Sequence, residues 1–359
     1  MKKKMGIINI ATMYIGAVLG AGFCSGREGW QFFGVFGVYG YIGAIVSTVI
    51  FVLLALMLTY IARSKNSNDI GDLISPGNNR KISAAIGYIL AGIYYTLIIS
   101  MSAAGGSLLN QELGLPTMIG GAIIVILVLF TVFGDFERLS SIVGKVMPLA
   151  FGVALLTIIL VFFRGNFSQS GATSGFEPSE MAPVWWVSGI VFAAYNSMGF
   201  ITVAGNCALQ AKDRKTAYTG ASLGTIFLGI MTILLLSVLA KDMAFSASLD
   251  LPMLGYSLRI SKVLNVAYAI ILYCSIYVTA STTFFGFSTK VPDNSKKKIV
   301  LVIAAFIGFG IGLSGFKTMV AYLYPLQGYI GIAFILLITV NFFAEQRKNS
   351  QNLHISSKN

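Results

Sequence analysis

The stretch Gly16-Ala17-Val18-Leu19-Gly20-Ala21-Gly22 decides how the chain reads. It lies inside an apolar run over 6–33, long enough to cross ~30 Å of hydrocarbon at roughly 20 residues per helix. Glycines at this density let a helix unwind, and unwinding frees backbone N–H and C=O groups that must find partners inside the protein. A second stretch, Asn196-Ser197-Met198-Gly199, interrupts the run over 185–209 in the same way. Each interrupted run opens a set of five, and paired interruptions at corresponding positions point to the midplane binding site of a secondary transporter. Glycine also serves close helix packing, which is the reading for Gly34, Gly37, Gly40 and Gly43 and for Gly308, Gly310 and Gly312.

Outward from these stretches, the remaining runs fall at 37–62, 84–110, 117–133 and 141–163 in the first set. Those at 218–240, 264–289, 298–313 and 318–343 complete the second. The expected fold is an all-α integral membrane protein of about ten transmembrane helices. Residues 1–163 form a first five-helix repeat, 185–343 a second, and 344–359 a polar cytoplasmic tail. The segment 241–263 carries Lys241, Asp242, Asp250, Arg259 and Lys262, too many charges for hydrocarbon, and reads as an outer cap. Met1-Lys2-Lys3-Lys4 and the apolar run after it resemble a signal peptide but lack a convincing cleavage site, so the run is expected to be a retained first span.

Composition supports this reading. Of 359 residues, 56% are hydrophobic and 11% charged, with a mean hydropathy of +0.81, against about 25% charged in soluble domains. The net charge of +12 would suit a nucleic-acid partner if it were clustered. Instead the basic residues sit in the gaps between runs, so the partners expected are the lipid bilayer and a small-molecule substrate, with self-association left open. Only Arg27, Arg164, Lys241, Arg259, Lys262 and Lys317 fall on the outer side when the N-terminus is placed inside. This asymmetry predicts cytoplasmic N- and C-termini in a plasma membrane. Cys24, Cys207 and Cys274 all lie within apolar runs, and the single histidine, His354, lies in the tail. Neither a disulfide framework nor a metal-ligand spacing follows, and no cofactor is expected.

The candidate site takes Gly20, Ala21, Gly22 and Phe23 from the first interruption and Tyr195, Asn196, Ser197 and Gly199 from the second. Freed N–H groups attract a carboxylate, and freed carbonyls attract an ammonium or a cation. Glu28 is the only carboxylate deep in an apolar run, beside Arg27. Neighbours on a helix point about 100° apart, so one is expected to face the vestibule and the other a different span. The two are gate candidates, with an interfacial charge pair as the alternative. Thr279, Thr282 and Thr283 share one helix face. Their hydroxyls suit a hard cation and equally suit bonding to their own i−4 carbonyls.

Span 1 broken at Gly16–Gly22 and span 6 broken at Asn196–Gly199, in a five-plus-five chain, resemble the LeuT-fold, amino acid–polyamine–organocation superfamily. More narrowly, Gly20-Ala21-Gly22-Phe23, Ser25-Gly26, Glu28 and Phe32-Phe33 resemble the YkvI-like bacterial membrane proteins. Those typically carry Ala and Gln where this chain has Cys24 and Arg27. The resemblance implies an inverted repeat with broken helices 1 and 6, and secondary transport of an amino acid or similar solute by alternating access. It also implies that Tyr95, in the Tyr94-Tyr95 pair, flanks the substrate. A lysine early in span 5, as Lys145 is, takes the place of sodium in sodium-independent members. Gly16 and Leu19 carbonyls with Thr279, Thr282 and Thr283 hydroxyls match the sodium site of others. Two readings of Lys145 stand, a coupling ammonium and a snorkelling interfacial residue. The expected coupling ion is the proton, with sodium as the alternative.

Other functions fit less well. An intramembrane enzyme needs convergent His, Asp, Glu or Cys clusters that the spans lack. A divalent-metal transporter of this fold needs an Asp in the span 1 break, and a channel leaves the register between halves unexplained. A non-transporting receptor subunit, similar to spore-germinant sensors, is the remaining rival.

Overall fold

In the computed structural model, residues 4–76, 80–134, 136–165, 167 and 176–356 are described. Lys2, Lys3 and Lys358, and the side chains of Arg80, Arg138 and His354, lie outside the described residues, so the expectations for them are not taken further. The first apolar run is broken twice, into α1 (Ile7–Val18), α2 (Ala21–Ser25) and α3 (Arg27–Phe32). Leu19 and Gly20 separate α1 from α2, with Gly20 extended at φ −92°, ψ −177°. Gly26 separates α2 from α3 at φ +81°, a conformation that side chains beyond glycine rarely adopt.

The chain continues through α4 (Val38–Lys65), α5 (Ile70–Ile74), α6 (Arg80–Leu113), α7 (Thr117–Val132) and α8 (Phe136–Arg164). The second half comprises α9 (Trp185–Gln210), α10 (Arg214–Leu239), α11 (Met243–Ser248), α12 (Pro252–Ile260), α13 (Lys262–Ser288) and α14 (Lys297–Gly312). It ends with α15 (Phe316–Thr318) and α16 (Tyr324–Ser356). Among the described residues, seven helices are long and apolar enough to cross a membrane: α4, α6, α8, α9, α10, α13 and the run Phe316–Gln351. The broken first run and the 16-residue α7 and α14 make the set consistent with ten crossings. The protein is a multi-pass membrane protein. Helices α11 and α12, of 6 and 9 residues, are too short to cross at 1.5 Å per residue.

Two packing groups form. Helices α1, α4, α9 and α10 pack on one another, and α6, α7, α13 and α14 form the second group. Helix α8 leans on α13 and α10, and α16 on α9 and α4. Each group therefore draws the same ordinal positions from the two sets of five runs. The N-terminus is pinned to the first group: Met5 N–H donates to Gln210 O at 2.7 Å and Lys212 N–H donates to Met5 O at 3.1 Å. The end of α9 thus lies on the same side as the N-terminus.

The expected break in span 6 requires correction, because α9 runs unbroken from Trp185 to Gln210. The polar residues that suggested unwinding bond back into their own helix. Asn196 Nδ2 donates to Phe192 O at 3.1 Å, Ser197 Oγ to Ala194 O at 2.8 Å and Thr202 Oγ1 to Gly199 O at 2.6 Å. Gly199 serves contact instead: a β-carbon there would stand 2.2 Å from Ala17 O, so it lets α9 close on the end of α1.

Candidate solute cavity at the span 1 break

A cavity of about 700 Å³ opens where α1 ends, within the roughly 300–1,000 Å³ range of small-molecule sites. From span 1 it is lined by Gly16, Gly20, Ala21, Gly22 and Glu28, from α9 by Tyr195, Asn196 and Gly199, and from α13 by Thr279, Thr282 and Thr283. Candidates from the broken first run, from the continuous α9 and from the threonine face thus meet around one space. Thr279 turns to the break, its Oγ1 4.0 Å from where a Gly20 β-carbon would stand. Thr282 and Thr283 bond back to carbonyls of their own helix, Thr283 Oγ1 to Thr279 O at 2.7 Å.

Other candidates stand outside the lining. Phe23 and Leu19 are packed in the core, and Ser197 is fully buried within α9. Tyr95 donates its hydroxyl to Ala304 O at 3.0 Å and stacks near Phe287. Its neighbour Tyr94 lines the cavity, because consecutive helix residues face different ways. Lys145 is exposed and absent from the lining. Among the described residues no ammonium from α8 lines the space between span 1 and α13, and the position of Lys145 fits the snorkelling reading.

Arg27 and Glu28 part as adjacent helix residues must. Arg27 reaches the charged segment over 241–263, donating from Nη1 to Ala247 O at 3.4 Å and Leu249 O at 3.3 Å, and from Nη2 to Gln31 Oε1 at 3.1 Å. Glu28, 3% exposed, turns into the cavity wall, where the Tyr195 hydroxyl donates to Oε1 at 3.3 Å. The Tyr195 ring stacks on Tyr324 with centroids 4.8 Å apart. Sequence reasoning missed Tyr324 and Gln327, both cavity-lining and fully or almost fully buried. Gln327 Nε2 donates to Thr96 Oγ1 at 2.6 Å, while its Oε1 meets no partner. The Tyr324 hydroxyl lies near Ser100 and Tyr195 without reaching a hydrogen-bond partner at bonding geometry. A π-helical turn over Met319–Leu323 delivers both residues, a distortion frequent at functional sites. A polar Gln in an apolar run was the available signal.

The cavity is asymmetric. Its lining on the N-terminal side is partly exposed, at Ala17, Thr202, Val203, Thr283 and Gly286, whereas Glu28, Tyr324 and Gln327 at the other end are buried. Beyond that end α12 packs on α2, and the Tyr268 hydroxyl donates to Cys24 O. The space therefore opens towards the N-terminal side and is closed towards the cap.

Comparison with known proteins follows the geometry. Over its whole length the chain resembles MhsT in a crystal structure with L-phenylalanine. The TM-score is 0.51 at 17% identity, covering 94% of this chain and 95% of that one. The chain has the LeuT fold. It is 25% identical over 336 residues to the uncharacterized membrane protein YkvI of Bacillus subtilis (strain 168), covering 91% of the chain and 93% of that relative. It is 20% identical over 335 residues to the uncharacterized protein YyaD of the same organism, covering 91% and 94%. No protein-family profile matches the chain. The resemblance to the YkvI-like proteins and to LeuT-fold structures thus extends well beyond the short motifs around Gly20–Phe33.

Proposed function

We propose that the protein is a secondary active transporter of an amino acid or similar small solute, working by alternating access, captured in a state open towards its N-terminal side. The observation that carries this reading is the cavity at the span 1 break, walled by both packing groups, open at one end and sealed by the cap at the other. Such a space gives a solute access from one side only, and a rocking of one group against the other would reverse the access. The fold shared with MhsT, whose structure holds L-phenylalanine, supports an amino acid as the first class to test.

The exposed Lys145, outside the lining, lends no support to coupling through its ammonium. Sodium becomes the better supported driving ion, because Thr279 faces Gly20 at the break and hydroxyls with carbonyls suit a hard cation. Uptake of labelled amino acids into proteoliposomes, driven in turn by sodium and pH gradients, tests both statements. Accumulation inside the vesicles supports transport. Saturable binding without accumulation would favour the receptor reading instead.

A further inference from the structure

The charge balance of the cavity goes further than its shape. Glu28 is the only charged side chain in the lining; no Lys, Arg or His joins it among the described residues. Its hydrogen-bond partner among the described residues is a neutral hydroxyl, that of Tyr195. The neighbouring arginine is turned away, occupied by the carbonyls of Ala247 and Leu249 and by Gln31. A buried carboxylate without a counter-charge is costly, and intramembrane carboxylates mark ligand and ion pathways.

The rings against Glu28 share its preference. Tyr195 and Tyr324 offer aromatic rings beside the carboxylate, and such rings attract cations. Gly22 leaves the carboxylate reachable: Glu28 Oε1 and the Tyr324 hydroxyl both lie over it, 1.8 Å and 3.3 Å from the position of an absent β-carbon. This end of the cavity therefore consists of a carboxylate and aromatic surfaces. It suits a compact, hydrogen-donating organic cation.

We infer that Glu28 is an ammonium subsite, and that the solute carries a protonated amine whose head docks against the Glu28 carboxylate and the Tyr195–Tyr324 pair. This rests on the transport reading of the cavity and names its substrate class. An acid or neutral solute of the same shape would leave the carboxylate uncompensated and bind far more weakly.

The test uses the full-length purified protein and a thermal-shift and direct-binding panel at pH 7. The probes are the proteinogenic amino acids and their decarboxylated amines, each set against its des-amino counterpart, in sodium and in potassium buffer. Ligands should be confined to the amine-bearing members. Glu28→Gln, which preserves shape and can still accept from Tyr195, should weaken them by about 30-fold or more, as expected for losing a charge-assisted contact. Glu28→Asp should recover part of that loss. A des-amino analogue binding as well as its amine, or equal affinity in Glu28→Gln, would overturn the subsite. So would a sodium-dependent stabilisation lost in Glu28→Gln while des-amino solutes still bind, which would assign the carboxylate to a metal cation. A plug in the cavity, Met198→Trp, separates the two levels of the argument. A ligand lost in the plug but indifferent to Glu28→Gln removes only the ammonium subsite. A ligand indifferent to both removes the cavity reading itself.

Discussion

The carboxylate of Glu28 lies directly over Gly22, so close that a β-carbon on residue 22 would stand 1.8 Å from Oε1. The contact joins the two helices that follow the span 1 break, α2 and α3, around one point of the cavity wall. A glycine at 22 is thus what allows a carboxylate at 28 to face the solute space.

Gly22→Ala is expected to fold, because the clash falls on the flexible end of the Glu28 side chain, but to push the carboxylate from its place. Uptake in proteoliposomes should drop about tenfold or more, the scale of losing a contact to a charged group. Wild-type uptake in a protein with an unchanged elution profile would remove the functional meaning of the contact.

Gly26→Ala should act on stability. Residue 26 has φ +81°, which costs a side chain roughly 1–2 kcal/mol, and a new methyl would meet Met253 Cγ at 2.7 Å. Overpacking adds about 1–3 kcal/mol. The thermal midpoint in detergent should fall clearly below wild type. Gly26→Ala and Met253→Ala should be non-additive, the double variant losing less than the sum of the singles, since truncating the buried Met253 removes the clash but not the strain.

Lys145 and Thr279 should separate by uptake assay. Lys145→Ala is expected to stay within about twofold of wild type, as for an exposed residue away from the site. Thr279→Val removes the hydroxyl facing the break and should weaken the response to a sodium gradient. Uptake driven by a pH gradient alone and abolished in Lys145→Ala would reverse both assignments.

The cap and the topology are open to cysteine labelling. Ser246 is fully buried, bonded to Leu239 O at 2.8 Å and near the Tyr256 hydroxyl, so Ser246→Cys should stay silent. Ser248 is exposed, and Ser248→Cys should react with an impermeant reagent from the outer face. Lys212→Cys, on the side of the N-terminus, should react from the cytoplasmic face. Native Cys24 and Cys207 are buried and give little background. Labelling of Ser248→Cys and Lys212→Cys from the same side would sink the topology.

Much of the architecture is written in local composition. Apolar runs of membrane-spanning length, bounded by basic gaps, determine where helices begin and end, because hydrocarbon admits only internally bonded backbone. The break at Leu19–Gly20 belongs to the same class: with Gly16, Gly20 and Gly22 so close, the cost of leaving the helix is low wherever tertiary partners favour it. The charged cap over 241–263 follows from what hydrocarbon excludes.

What sequence could not determine is the direction in which side chains look and what meets them. Asn196-Ser197-Met198-Gly199 has the composition of a break, yet it stays helical, because the side chains bond back to Phe192 and Ala194 and Gly199 is filled from outside by Ala17 O. Tyr94 and Tyr95 are adjacent and alike, and only the placement of α14, whose Ala304 O takes the Tyr95 hydroxyl, decides which one faces the cavity. Lys145 is exposed because of where α8 leans, a fact of packing between distant segments. Span 10 drew no notice as a site, yet it places Tyr324 beside Tyr195 and Gln327 beside Thr96. Helix formation is governed by neighbours along the chain, so sequence determined the spans and the first break. The hydrogen bonds that join spans at the site bridge 167 residues of chain from Tyr195 to Glu28 and 231 from Gln327 to Thr96. Only the tertiary structure, where all these helices compete for the same space, could decide them.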